Sequence, residues 1–154
     1  MSFDTHNGTR GGRQPSGPLM RFVNKLAVRR IARKGRMMGT RFDALVLVTV
    51  GRRSGEERKS PLGWFPGQDG SWVIVAAAAG APKNPSWYYN LAADPDRVRI
   101  EIPGRTVAVT AEQLHGAERA EAWQQITTAA PQFAKYQEQT DRELPVIRLV
   151  PKPE

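Results

Sequence analysis

Residues 44–65 read ALVLVTVGRRSGEERKSPLGWF, and their pattern decides the fold class. Ala44–Val50 is an apolar, β-branched run closed by Gly51, and Ser60–Phe65 is a second strand candidate. The nine residues between them, GRRSGEERK, hold two glycines suited to a turn, so the two runs pair as a hairpin. Further along, Asp69-Gly70 signals a turn and Trp72–Ala79 (WVIVAAAA) reads as a buried strand whose small residues leave room beside it. Arg97–Ile102 and Arg105–Ala111 alternate apolar with polar residues around Pro103-Gly104, which makes a second, half-exposed hairpin. Val146–Val150 is a sixth strand between prolines.

Helical signals sit at the margins of these strands. The segment from Gly80 to Leu91 begins as a loop and becomes a short helix, with Asn84 as N-cap and Pro85 as first helical residue. Residues 116–130 place Ala120, Trp123, Ile126 and Thr127 on one helical face, Pro131 breaks the pattern, and a shorter helix follows to about residue 138. Strands joined by hairpin turns, without regular alternation with long helices, disfavour a doubly wound sheet. The expected fold is mainly β with accessory α, a small antiparallel β-barrel with short helices after the third strand and before the last.

Toward the N-terminus, residues 19–38 read as a basic amphipathic helix. Leu19, Val23, Leu26 or Ala27, and Ile31 form an apolar stripe, Arg21, Lys25, Arg29 and Arg33 recur on another face, and Gly35 and Gly39 end it. Residues 1–18 are polar and glycine-rich and read as a disordered tail, leaving 19–154 as one domain. The length of 154 residues supports a single core, and the absence of cysteine excludes disulfides and Cys-ligated zinc or iron–sulfur sites. Two histidines, His6 and His115, are too few for a His-based metal site, so no metal is expected. No apolar run reaches the ~18–20 residues of a membrane span. The N-terminus lacks the apolar core of a secretory signal, so a cytoplasmic location is expected.

Charge is uneven: residues 1–59 carry 14 Lys or Arg against 4 Asp or Glu, and residues 60–154 carry 9 against 11. An anionic partner therefore belongs with the first half. Within it, Gly51–Leu62 combines two glycines with Arg52, Arg53, Arg58 and Lys59, a composition suited to a phosphate or carboxylate. The alternative is a solvated hairpin paired to Glu56 and Glu57. Walker and GxGxxG spacings are missing. Trp87, Tyr88, Tyr89 and Asn90 follow the small-residue strand, where backbone N–H groups suit a planar heterocycle; core packing is the alternative. No cysteine, GxSxG or neighbouring Ser/His pair supports nucleophilic catalysis. A basic chain also fits nucleic acid, but no stacking motif accompanies the charge, and no nucleic-acid partner is expected.

Three blocks, GRRSGxxRxxPL, the stretch AAAAGAPKNPSWYYNLAADP and PQFAKYQEQTDRELPVIRLVP, occur in an order and spacing that resemble the deazaflavin (coenzyme F420)-dependent nitroreductase family over about residues 40–151. The resemblance implies a split β-barrel and reduced coenzyme F420 (F420H2) as hydride donor, its tail carrying a phosphate and glutamates. By the same resemblance Arg53 and Arg58, helped by Arg52, Ser54, Lys59 and Ser60, hold that tail, with Pro61, Leu62 and Gly63 along its path. The deazaflavin ring is then expected against Val75, Ala76, Ala77 and Ala78 and the backbone of Ser86, Trp87, Tyr88 and Tyr89, with Asn90 as a polar contact.

This chain departs from a nitroimidazole-reducing branch of that family. Ala77 and Ala78 replace a Ser-Lys pair, and Gly63, Ala130 and Phe133 stand at tyrosine positions, whereas Tyr136 keeps its tyrosine. The implied substrate pocket, Gly63, Ala130, Phe133 and Tyr136, is wider and less polar, with Tyr136 as catalytic donor or gate. Its substrate is a small hydrophobic acceptor: an enone, lactone, coumarin or quinone with an activated C=C bond, or a nitroaromatic. Competing readings are a non-catalytic F420 carrier and an FMN-dependent split-barrel reductase. Residues 19–36 imply peripheral membrane contact, or a helix over the barrel or active-site mouth. The expected assembly is a monomer or weak dimer.

Overall fold

The computed structural model describes residues 3–12, 18–34 and 43–153. Its helices are α1 (Pro18–Lys34), α2 (Ser86–Ala93), α3 (Gly116–Ala129) and α4 (Gln132–Gln139). Its strands are β1 (Ala44–Val50), β2 (Glu57–Gly63), β3 (Phe65–Pro66), β4 (Trp72–Val75), β5 (Val98–Ile102), β6 (Arg105–Gln113) and β7 (Val146–Pro151). They form one antiparallel sheet in the order β2-β1-β5-β6-β7-β4-β3. β2 and β3 are its opposite edges, yet only Trp64 separates them in sequence. A flat sheet cannot satisfy that connection, so the sheet curls until its edges approach, and the result is a split barrel. Trp64 N–H, at the join, donates to the Asp43 carbonyl at 2.9 Å.

The apolar runs are continuous because both of their faces are covered. On β1, Leu45 and Leu47 point into the barrel with Ile74, Ile100 and Leu149, whereas Ala44, Val46 and Val48 pack beneath Ile31 of α1. On β4, Trp72 and Ile74 point inward, and Val73 and Val75 pack with Ile126 and Ala130 under the α3–α4 layer. Alternation is thus present geometrically but erased in sequence. Both expected hairpins form, with β1 paired to β2 and β5 paired to β6. However, β2 runs over Glu57–Gly63, starting inside the expected turn, and Phe65, expected at its end, belongs to β3 on the opposite edge.

Three expectations are corrected. Residues 3–12 are not a free tail: Gly8 N–H donates to Pro82 O at 2.7 Å and Gly12 N–H to Gly80 O at 2.9 Å. Thr5 bonds Tyr88, Gln113 and Asn84, Thr9 bonds Asp141, and Phe3 packs edge-on against Tyr88. Polar partners on the body satisfy this strap's backbone, which apolar content did not foretell. The remaining tail residues, 1–2 and 13–17, lie outside the described set.

The second correction concerns α1. Its packing face is Ala27, Val28 and Ile31, while Leu19, Phe22, Val23 and Leu26 are exposed, so the expected stripe splits and only Ile31 of it is fully buried. The expected extension to residue 38 lies outside the described residues.

The third concerns residues 76–85. The strand stops at Val75, and a 3-10 turn follows at Ala78–Gly80, with φ of +48° at Ala78 and +54° at Ala79. Asn84 does not cap α2; Pro85 precedes the first helical residue, and Asn84 is buried, its side-chain oxygen accepting from Arg142.

Candidate active site

The turn between β1 and β2 builds the first part of the site. Gly51 N–H donates to Glu56 O and Gly55 N–H to Gly51 O, each at 2.8 Å, which holds a tight loop with Gly55 at φ +73°. Ser54 Oγ accepts from Glu56 N–H at 3.1 Å and from Arg58 Nη2 at 3.4 Å. Arg52 is anchored to α2: its Nη1 donates to Asn90 Oδ1 at 3.1 Å and Ser86 Oγ at 3.3 Å, and its guanidinium lies 5.2 Å from the Tyr89 ring centre. Asn90, buried, donates from Nδ2 to Thr49 Oγ1 at 3.2 Å.

These residues enclose a cleft of about 640 Å³. Its walls bring together six expected cofactor residues of the hairpin, Arg52, Arg53, Ser54, Arg58, Lys59 and Ser60, with Ser86, Trp87 and Asn90 of α2. Arg21 and Asn24 of α1 line it as well; the sequence reading put Arg21 on a basic face of the helix without assigning it to the cofactor and did not single out Asn24. Among the described residues no carboxylate lines the cleft. Arg58 and Lys59 have ion-pair partners outside its lining, Glu56 at 3.6 Å and Glu101 at 3.0 Å. Among the described residues no carboxylate pairs with Arg21, Arg52 or Arg53. A pocket of this size with five cations fits a phosphorylated, polycarboxylate chain.

The other expected residues fall elsewhere. Pro61, Leu62 and Gly63 continue β2 and are half-buried. Val75, Ala77, Ala130, Phe133 and Tyr136 share a second apolar cluster, where Phe133 sits edge-on to Phe65 and to Tyr136, each with ring centres 5.8 Å apart. Ala76 faces the barrel core. The Tyr88 ring is buried, and its hydroxyl donates to Gln113 Oε1 at 2.6 Å; burial pushes that hydroxyl's pKa up, against the hydrogen bond from Thr5 N–H.

Arg142 is the residue of this region whose role the sequence reading did not find. It is 2% exposed, and its guanidinium donates to the carbonyls of Ala76 (2.8 Å), Ala77 (2.8 Å) and Ala81 (3.0 Å) and to Asn84 Oδ1 (2.6 Å). Burial lowers its pKa. It fixes from behind the stretch that the resemblance sets against the cofactor ring. The TDRELP block contained it, but a charged string gave no sign that one cation turned inward.

A curled antiparallel barrel carrying a cationic cleft beside an aromatic helix is a split barrel able to take an anion-tailed ligand. The family model for F420H(2)-dependent quinone reductase matches residues 8–151, and the chain belongs to that family. A relative from Mycobacterium tuberculosis, an F420H(2)-dependent quinone reductase, is 36% identical over 109 residues, which cover 69% of this chain and 72% of the relative. Among solved structures, an F420-H2 dependent reductase superposes with a TM-score of 0.61 at 36% identity, covering 69% of this chain and 92% of that one. A chain described as a domain-swapped dimer gives a TM-score of 0.63 at 31% identity, covering 86% and 99%. The protein is thus an F420H2-dependent oxidoreductase, and its cofactor supplies a hydride when bound.

Proposed function

We propose that this chain reduces quinone-type acceptors with F420H2. The observation that carries the reading is the carboxylate-free cleft of Arg21, Arg52, Arg53, Arg58 and Lys59, which suits the cofactor's phosphate and glutamates. The substrate side rests on the partly buried rings of Phe133 and Tyr136, which pack on the buried core residues Val75, Ala77 and Ala130 and offer aromatic surface to a flat hydrophobic acceptor. Enones, coumarins and lactones with activated C=C bonds share that chemistry and rank after quinones; nitroaromatics rank last. Tyr136 serves as proton donor or gate to the acceptor, and the other residues orient the two reactants and exclude water.

The exposed face of α1 supports a lipid surface as the place of encounter. Leu19, Phe22, Val23 and Leu26 are 74%, 59%, 43% and 50% exposed, flanked by Arg29, Arg30 and Arg33. An apolar stripe beside cations is the physical type that lies in an anionic interface. Co-sedimentation with anionic against zwitterionic vesicles tests it; equal soluble fractions remove the idea.

The deciding experiment follows anaerobic F420H2 oxidation with a menaquinone analogue, an enone, a coumarin and a nitroaromatic in parallel. Quinone-dependent oxidation well above the other acceptors supports the reading. Tight F420 binding with no oxidation by any acceptor would establish the carrier reading instead.

A further inference from the structure

The inward face of α1 changes character along its length. Residues 21, 24, 28 and 31 are spaced so that they share one side of an α-helix. At the C-terminal end of that side, Ile31 is fully buried and Val28 packs with it against β1. One and two turns earlier the same side presents Asn24 and Arg21, and both line the cationic cleft. The opposite side holds Leu19, Phe22, Val23 and Leu26, all exposed. A helix that only packed on the barrel would continue its apolar contact on the inward side. Here that side turns polar and cationic where it passes from β1 to the cleft, while apolar residues are directed to solvent.

We infer that Arg21 and Asn24 form a second wall of the cofactor site, contacting the polycarboxylate tail from α1 while the β1–β2 turn contacts it from the sheet. The inference rests on the proposed position of that tail. Arg21 lines the cleft and has no carboxylate partner among the described residues, so its guanidinium donors are available to an anion bound there. Asn24 adds an amide that donates to a carboxylate without adding charge. The hairpin cations Arg58 and Lys59 are shared with Glu56 and Glu101, which leaves Arg21, Arg52 and Arg53 as the cations an added anion meets first. With walls on two sides, affinity grows with the number of glutamates rather than with the phosphate alone. The cleft is then a device for selecting long-tailed cofactor, and α1 is part of it.

The test is fluorescence titration of the full chain with F420 species carrying one or several glutamates, and with the ring-only deazaflavin that lacks phosphate and glutamates. Wild-type, Arg21→Ala, Arg21→Lys, Asn24→Ala and Lys25→Ala proteins are compared at low and high salt. The expected result is that Arg21→Ala weakens the long-tailed species about tenfold. The loss shrinks as glutamates are removed and vanishes for the ring-only compound. Arg21→Lys recovers most of the affinity, and Arg21→Ala flattens the salt dependence. Lys25→Ala, a charge loss on the same helix outside the cleft, leaves all affinities within about twofold. Normal wild-type binding with Arg21→Ala and Lys25→Ala indistinguishable overturns the second wall and leaves the cofactor reading standing. So does an equal loss for the ring-only compound, because Arg21 would then act through the fold. Failure of the wild-type chain to bind any F420 species overturns both readings.

Discussion

Arg142 Nη1 donates to Asn84 Oδ1 at 2.6 Å, joining the loop before β7 to the segment that leads into α2. The same guanidinium donates to three carbonyls of residues 76–81, so a buried cation with no carboxylate partner among the described residues is stabilised by oriented dipoles. Replacing Arg142 by Met keeps the apolar stem and removes the donor from Ala76 O, Ala81 O and Asn84 Oδ1, while Ala77 O keeps the Gly80 N–H. Each orphaned buried acceptor costs roughly 1–3 kcal/mol, so Arg142→Met is expected to lose at least about 3 kcal/mol, or about 6–12 °C in Tm. Thermal unfolding with and without F420 measures it, and a change below about 2 °C would mean that water replaces the guanidinium without loss.

The neighbouring Asp141 tethers the N-terminal strap. Thr9 Oγ1 and the N–H groups of Thr9 and Arg10 donate to its carboxylate and hold its pKa at about 2, below the ordinary 3.8. A depressed carboxylate pKa contributes stability that is complete above the unfolded value and lost as pH falls through the folded one. The tether therefore holds across neutral and mildly acidic pH and releases between about 4 and about 2. The protection factors of the Thr9 and Arg10 amides, referred to intrinsic exchange at each pH, are expected to fall in that window in the native chain. Asp141→Asn is expected to show the lower protection above about pH 4 and to converge with wild type near pH 2, and protection of these amides that is indifferent to the substitution above about pH 4 would place the strap's anchor elsewhere.

Arg53 and Arg58 separate charge from geometry in the cleft. Arg53 has no carboxylate partner among the described residues, whereas Arg58 is shared with Glu56 at 3.6 Å. Arg53→Ala is expected to weaken F420 affinity about tenfold and Arg58→Ala somewhat less, both with a smaller salt dependence than wild type. Unchanged affinity in both variants would move the phosphate away from the hairpin.

Tyr136 stands on α4 in edge contact with Phe133 and belongs to the same cluster as Ala77. Tyr136→Phe retains the ring and removes the hydroxyl. If that hydroxyl donates to the acceptor, kcat falls about tenfold or more while the Kd for F420 stays within about twofold. Equal changes in both would make Tyr136 a wall of the pocket and not a donor.

The legible and the hidden parts of this chain differ in what holds them. ALVLVTV, the β1–β2 turn and the alternating β5–β6 hairpin are local signals, and local signals survive in a sequence. The cleft was legible as a cluster of cations on one turn. Three features were not. The strap has almost no apolar residue and is held by hydrogen bonds to positions such as Pro82, Gln113 and Asp141, far away in sequence. α1 carries two apolar stripes, and nothing in its periodicity says which one meets β1. Arg142 looks like any other member of a charged string until the carbonyls of residues 76–81 surround it.

Adjacent residues of the turn after β4 should respond to substitution in opposite directions. Ala79 and Gly80 both adopt the left-handed region, with φ of +54° and +77°. Ala79 is half-exposed and gains from losing its Cβ, so Ala79→Gly is expected to raise stability by about 1 kcal/mol, roughly 2–4 °C in Tm. Gly80 is buried, and a Cβ there would approach the Tyr136 carbonyl to 2.7 Å and Gln139 Oε1 to 3.1 Å. The first of these atoms is backbone and cannot rotate away, so Gly80→Ala forces α4 to move. Because α4 carries Tyr136, Gly80→Ala is expected to lower both stability, by at least ~1–2 kcal/mol, and kcat, whereas Ala79→Gly leaves kcat unchanged. Differential scanning calorimetry with steady-state F420H2 oxidation reads both quantities, and a Gly80→Ala protein with full kcat would show that the position of α4 is not coupled to turnover.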